Sequence, residues 1–289
     1  MMRKTITPFK IFNTILMLLI LCVTLFPFLN IFAVSFSGAD AVLSGEVTLI
    51  PKSGSLAAYK NILQHPNFWK GYRNTIFYTI AGTGFAMVLT ILCAYPLSKK
   101  DLPGRPFIMG FIVFTMLFNG GLIPNFLLIR NIGFINTVWA IIIPMGINVW
   151  NMIIMRTFFM ALPESLEEAA EIDGLNPLGI LLRITLPLSK PILATIGLFY
   201  AVWFWNDWFR ALIFLNTKEL HPITLFLRNI VMGAQLAAEQ GLLTQSDTEN
   251  VSTTIKAASI ILVTTPILLV YPFIQRYFVK GIMIGSVKG

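Results

Sequence analysis

The chain has 289 residues, of which 56% are apolar and only 12% charged, with a formal net charge of +8. Soluble domains run at about 45–50% apolar and about 25% charged. These proportions exclude a soluble enzyme, which needs more charge to cover its surface, and a disordered chain, which is never so apolar, and they leave a polytopic membrane protein.

A helix needs about 20 apolar residues to cross the hydrocarbon core. Six segments meet that requirement, at 11–34, 75–97, 107–129, 135–155, 191–215 and 255–279. The expected fold is all-α, with a short N-terminus (1–10), six transmembrane helices and a C-terminal tail (280–289). Pro27, Pro96, Pro124, Pro144, Pro266 and Pro272 fall inside these segments, which spans tolerate when neighbouring helices re-satisfy the backbone. Arg3, Lys4 and Lys10 precede the first apolar run. That run is long for a signal peptide and no small-residue cleavage site follows it, so it reads as a retained span.

Six spans put both termini on one side. Twelve of the 21 Lys and Arg residues then share that side, concentrated at the N-terminus and in the short 98–106 loop (Lys99, Lys100, Arg105). The positive-inside rule assigns both termini, the 98–106 loop and the long 156–190 loop to the cytoplasm. The connectors at 37–74, 130–134 and 216–254 then face outward.

The 156–190 loop carries the most local information. Ser165 and Glu168 have capping-box spacing, and Leu166–Asp173 has good helix formers. Gly174 is placed to end that helix in the left-handed conformation. Asn176-Pro177 reads as the cap and first position of a second helix, running to Thr185. The first helix has an acidic face (Glu164, Glu167, Glu168, Glu171) and a small apolar face (Leu162, Leu166, Ala169, Ala170). Between Arg156 and Lys190 there are five acids against three bases. Helices that lie on the anionic inner leaflet are rich in Lys and Arg instead. A net-acidic helix fits docking to a protein.

The run Glu168-Ala-Ala-Glu-Ile-Asp-Gly174, followed by Ile184-Thr-Leu-Pro187, resembles the EAA motif of ABC-importer permeases. In that family the helix is a coupling helix seated in a groove of a cytoplasmic ATPase subunit. The resemblance assigns the ATPase contact to Glu167, Glu168, Ala169, Ala170, Glu171, Asp173 and Gly174. Two further stretches, Gln275–Gly281 with Gly285–Gly289 and Trp205-Asn-Asp-Trp208, are similar to those of carbohydrate-uptake permeases. The length and span count resemble the smaller permease subunit of maltose-type importers, and Asn119-Gly-Gly-Leu-Ile-Pro124 is similar to the branch that handles complex oligosaccharides.

The resemblance implies a type I importer fold in the bacterial cell membrane. It implies a second homologous permease subunit, two cytoplasmic ATPase subunits holding ATP and magnesium, an extracytoplasmic solute-binding protein and an oligosaccharide cargo. No cofactor is expected on this chain, no nucleic acid as partner, and no catalysis by the chain itself. Its residues agree, since it has no phosphate-binding loop, no metal-binding His-Glu-x-x-His run and no basic-aromatic platform for nucleic acid. Cys22 and Cys93 lie in apolar runs, and His65 and His221 each precede a proline in a connector.

A second set of residues is a candidate for lining the transport path. Trp203, Asn206, Asp207 and Trp208 cluster towards the outer end of the fifth span. Asp207 and Arg210 are spaced to pair with each other, and ionisable residues in spans also commonly face a cavity. Asn148 and Asn151 in the fourth span either line that path or bond between helices. The tail glycines Gly281, Gly285 and Gly289, by resemblance, reach towards the ATPase subunits. A membrane enzyme predicts a catalytic constellation inside the spans, and a secondary transporter predicts inverted repeats with midplane charges; neither pattern is present in the sequence.

Overall fold

A computed structural model describes residues 7–118, 120–239, 253–270 and 272. Among these residues every regular element is helical. Three of the described helices are long and apolar enough to cross a membrane on their own, and three bent pairs among the described residues bring the number to six if each pair is one span. The chain divides into two compact units, Met1–Phe68 with Leu227–Pro266, and Trp69–Phe226 with Ile267–Gly289.

In the first unit, α1 (Pro8–Ser35) is an unbroken 28-residue helix with Pro27 inside it. Its outward-facing Leu, Ile and Phe side chains are exposed along most of its length. The connector after it is not bare loop. It contains α2 (Ala39–Leu43) and α3 (Ala57–Leu63). Side-chain bonds tie this segment to the end of α1: Tyr59 donates to Ser35 Oγ at 2.9 Å, Asn30 donates to the Thr48 carbonyl at 2.7 Å, and Lys52 N–H donates to Ser37 Oγ at 3.0 Å.

The second unit is organised on α4 (Pro66–Ser98), which has 33 residues. At about 1.5 Å per residue it is longer than the hydrocarbon core is thick. It begins at Pro66 rather than near the expected residue 75. Its first turns carry Asn67, Lys70, Arg73 and Asn74, which are compatible with helix but invisible to a hydropathy window.

The expected third span is two helices, α5 (Arg105–Leu117) and α6 (Leu122–Asn131), with Gly121 at φ 88° ahead of α6. The fourth is also broken. A short α7 (Trp139–Ile142) runs into a 3-10 turn (Ile143–Met145) and then, after a 48° bend, into α8 (Val149–Met160). Pro144 donates no backbone hydrogen bond. A Cβ at Gly146 would stand 2.7 Å from Leu89 Cδ1 and 2.9 Å from Phe85, so glycine permits α4 to approach the bend.

After α9 (Glu164–Ile172), the chain continues through α10 (Pro177–Ile180), a π-turn (Leu181–Thr185) and α11 (Leu186–Leu188). The second loop helix therefore extends past the expected Thr185. The widened turn lies where Pro187 has no N–H to return to Arg183. The axis then turns by 85° into α12 (Lys190–Asn206). Within the expected fifth span the helix breaks after Asn206, Asp207 is extended, and α13 (Phe209–Phe214) follows. Two more helices follow among the described residues, α14 (Ile223–Glu239) and α15 (Thr253–Val270).

The core of the second unit is made where α4, α8 and α12 meet, with Tyr78, Ala86, Met152, Met155, Ile196, Tyr200 and Phe204 buried. Small residues let these helices close up, as in membrane bundles generally. A Cβ at Gly82 would lie 2.6 Å from the Phe204 ring. At the other end of α4, the 216–222 loop is stapled down. Asn74 donates to the carbonyls of Glu219 (2.6 Å) and His221 (3.1 Å), and Tyr78 donates to that of Leu220 (2.9 Å). Asn136, at φ 61°, accepts from the backbone N–H groups of Asn216 and Thr217.

Candidate functional site

Helix α9 is a nine-residue element between two corners. Pro163 is its N-cap, extended at φ −61° and ψ 124°, and it supplies no side-chain acceptor. The expected Ser165–Glu168 capping box does not form. The proline sets the helix start two residues earlier, at Glu164, so Ser165 lies within the first turn.

The C-terminal corner forms as expected. Gly174 has φ 80°. Its N–H donates to the Glu171 carbonyl (2.9 Å), and Leu175 N–H donates to the Ala170 carbonyl (3.0 Å). This is a Schellman closure, which satisfies two of the carbonyls a helix end leaves open. Two residues on, Asn176 Oδ1 accepts from Gly179 N–H at 2.7 Å and caps α10, with Pro177 at its first position.

The acidic face anticipated from the sequence divides in two. Glu164 and Glu167 turn inward onto the loop after α4. Lys99 Nζ donates to Glu167 Oε2, and Lys100 Nζ donates to Glu164 Oε1 at 2.5 Å. The hydrogen bond from Lys100, and its charge, hold the Glu164 carboxyl below its ordinary value of 4.5. The same contact raises Lys100 above 10.5. Ala170 is buried beneath the helix, at 3% exposure. Glu168, Ala169, Glu171 and Asp173 remain exposed, together with Ile172 at 87%. The solvent-facing surface thus carries an exposed isoleucine together with exposed carboxylates.

The loop beneath α9 is itself anchored. Lys99 Nζ lies 4.4 Å from the centroid of the Tyr95 ring, and Tyr95 packs edge-on to Phe159 of α8. Arg156 of α8 donates from Nε to the Leu97 carbonyl at 2.7 Å.

The second candidate set is resolved into separate environments. Asp207 Oδ2 accepts from Arg210 Nε at 2.8 Å, and its Oδ1 accepts from Arg210 N–H at 3.3 Å. The pair is largely buried, with side-chain exposures of 10% and 14%. The guanidinium lies over the Trp203 ring at 4.3 Å. The pairing expected from the spacing of Asp207 and Arg210 forms. Asn206 is exposed and donates back to the Val202 carbonyl at 2.8 Å. Trp203 and Trp208 are each a little over one-third exposed. Asn148 caps α8, accepting from Asn151 N–H at 3.0 Å, and Asn151 is buried. The tail glycines Gly281, Gly285 and Gly289 lie outside the described residues, as does Asn119. Among the described residues no group of three or more His, Cys, Asp or Glu could hold a metal.

Residues 86–284 match the model of a family described as the binding-protein-dependent transport system inner membrane component. The chain belongs to that family. This permease is 43% identical over 290 residues to the polygalacturonan/rhamnogalacturonan transport system permease protein YtcP of Bacillus subtilis, covering all of both chains. It is 42% identical to Protein LplC of the same organism, across 92% of this chain and 90% of that one. A crystal structure of a bacterial ABC transporter involved in import of the acidic polysaccharide alginate contains a chain of the same fold. The TM-score is 0.85 at 35% identity, covering 96% of the permease and 100% of that chain. The resemblance to an importer permease drawn from the EAA run therefore holds, and the permease is an inner-membrane transport subunit.

Sequence reasoning missed Lys99 and Lys100 as partners of α9. The signal is present in the sequence: the positive-inside rule puts a short basic loop and a net-acidic helix on the same side. It also missed Tyr200 and Thr90, which support Asn148, because nothing local marks a tyrosine hydroxyl as the partner of a residue 52 positions away.

Proposed function

We propose that this permease forms one membrane half of an ATP-driven importer for carboxylate-bearing oligosaccharides. A second, homologous permease completes the path, an extracytoplasmic binding protein delivers cargo, and two cytoplasmic ATPase subunits bind ATP with magnesium and hydrolyse it. Both termini and α9 lie in the cytoplasm in this reading.

The observation that carries it is the outward surface of α9. Glu168, Ala169, Glu171 and Asp173 are exposed, together with an 87% exposed Ile172, on a helix closed at Gly174. A large apolar side chain this exposed, on a helix with exposed acids, suits a protein groove better than an anionic leaflet. Ala169 permits close approach, and Gly174 sets the angle at which α9 leaves for α10. ATP-driven closure of the ATPases would move α9 with its neighbours and open the path outward. Trp203, Asn206 and Trp208 are the proposed lining residues near the outer end of α12, where rings and a planar amide suit sugars.

The cargo class is supported by the relatives, one named for polygalacturonan and rhamnogalacturonan and the other for alginate import. The test is uptake into proteoliposomes holding the permease, its companion permease and the ATPase, with the binding protein added outside. Labelled oligogalacturonides are expected to accumulate only with ATP inside, and maltooligosaccharides of equal length are expected not to. Accumulation of the neutral oligomers alone would overturn the cargo assignment.

A further inference from the structure

Helix α9 has little packing to hold its orientation. Its corners at Pro163 and Gly174 interrupt the helical backbone on both sides, and Ala170 is its one buried residue. A nine-residue helix is marginal by itself, and rotation by one residue position, about 100°, would replace its outward surface with another. Something must fix the rotation. Glu164, Glu167 and Ala170 follow at intervals of three along one stripe, and Ser165, Glu168 and Ile172 lie on the opposite one. The first stripe is the one held, with its carboxylates bonded to Lys99 and Lys100 and its alanine buried.

We propose that the Lys99–Glu167 and Lys100–Glu164 pairs are a two-point clamp that sets the rotation of α9 and ties it to the end of α4. Lys99 and Glu167 are then positioning residues for ATP-coupled transport. This rests on the reading of α9 as the ATPase-docking helix. The two contacts are unequal. Lys100 and Glu164 are about 70% exposed, and such pairs alone count for little. Lys99 and Glu167 are 33% and 23% exposed. The Lys99 ammonium is also fixed from behind by the Tyr95 ring, itself 8% exposed and packed on Phe159. Lys99 follows the last residue of a 33-residue helix, so a displacement of α9 is delivered to the end of α4. Arg156 bonds that same end to α8. Motion of the docking helix thereby reaches two helices of the second unit's core without passing through the Gly174 corner.

The test is a charge-reversal cycle in the reconstituted importer: Lys99→Glu, Glu167→Lys, the double exchange, and Glu167→Gln as an isosteric loss of charge. Transport per ATP hydrolysed is measured beside the amount of ATPase subunit that co-purifies. Each single change is expected to lower transport per ATP by about tenfold, an ordinary size for coupling between sites. The double exchange is expected to return to within about threefold of the native chain. A double exchange no better than the singles, with the complex assembled, overturns the clamp, and so do singles that transport normally. Docking is read separately by a cross-link from Ala169→Cys to the ATPase. A cross-link without rescue sinks the clamp and leaves docking standing, whereas no cross-link in the native background sinks the docking reading and the clamp with it.

Discussion

The backbone N–H of Asn148 donates to the hydroxyl oxygen of Tyr200 at 2.9 Å, across the break between α7 and α8. That donor is one of the groups a helix start leaves without an intrahelical partner. Tyr200 is 1% exposed and its hydroxyl also meets Thr90 Oγ1 at 2.8 Å, so one oxygen joins α4, α8 and α12. Interhelical bonds in membranes average about 0.6 kcal/mol. Tyr200→Phe takes the partner from a part-buried backbone donor and from the buried Thr90 hydroxyl, and the expected loss is higher, about 1–3 kcal/mol. Thermal unfolding of the purified variant in detergent checks this, and an unchanged midpoint would show that the node contributes nothing.

Gly174 is needed for its backbone conformation and not for space. Its φ is 80°, and a Cβ there would meet nothing within 4 Å. A substitution is therefore opposed by left-handed strain alone, about 1–2 kcal/mol for an ordinary residue and least for Asn. Transport is expected to fall in the order Gly, Asn, Ala, Val, with membrane insertion unchanged, and Gly174→Val is expected to be inserted but inactive. Uptake assays beside immunoblots of the membrane fraction give both readings. Loss of insertion in parallel with transport would assign Gly174 to folding rather than coupling.

Asp207 and Arg210 test what a buried pair contributes. Arg210→Met strands the Asp207 carboxylate, whose side chain is 10% exposed, and should cost about 3–5 kcal/mol. The double change Asp207→Asn with Arg210→Met removes both charges and is expected to recover most of that loss. Denaturant titration followed by tryptophan fluorescence is suitable, because Trp203 stacks on the guanidinium. Equal losses in the single and double variants would mean that the ring contact, not the charge pair, is what holds this corner.

The Lys100–Glu164 contact has a defined pH range. Glu164 is shifted down from 4.5 by its bond to Lys100, so its contribution to stability is complete above the unfolded value and disappears as pH falls through the lower folded one. Lys100 is shifted up from 10.5, so its side of the pair is lost only as pH rises through that raised value. The contact is thus expected to be indifferent to pH across the neutral range. Carboxyl carbon chemical shifts of labelled Glu164 should give a midpoint below 4.5, and replacing Lys100 by Met should raise it. A midpoint that does not move would show the two side chains are not paired.

What the sequence revealed about this protein was mainly local. Gly174, Asn176 and Pro177 each act within a few residues, so the corner after α9 and the start of α10 were legible. The Asp207–Arg210 pair was legible for the same reason, being one helical turn apart. The start of α9 was misread because Pro163 and Ser165 both compete for the cap and the proline's fixed φ decides. The break at Gly146 was not legible, because the groups packed against it, Leu89 and Phe85, come from α4, and the one at Asp207 was not, because an apolar average over a whole span hides two polar residues inside it. The Lys99–Glu167 contact joins residues 68 apart, which come together where Tyr95 packs on Phe159 and Arg156 bonds the Leu97 carbonyl.

The most direct test of the whole account is photo-cross-linking from position 168, with a photoreactive residue in place of Glu168, in intact membranes of the native host. An adduct to an ATP-binding subunit, identified by mass spectrometry and changing in yield when ATP is trapped, is the result predicted for a docking helix on the cytoplasmic side. An adduct to lipid or to an extracytoplasmic protein, with none to an ATP-binding subunit, would contradict it.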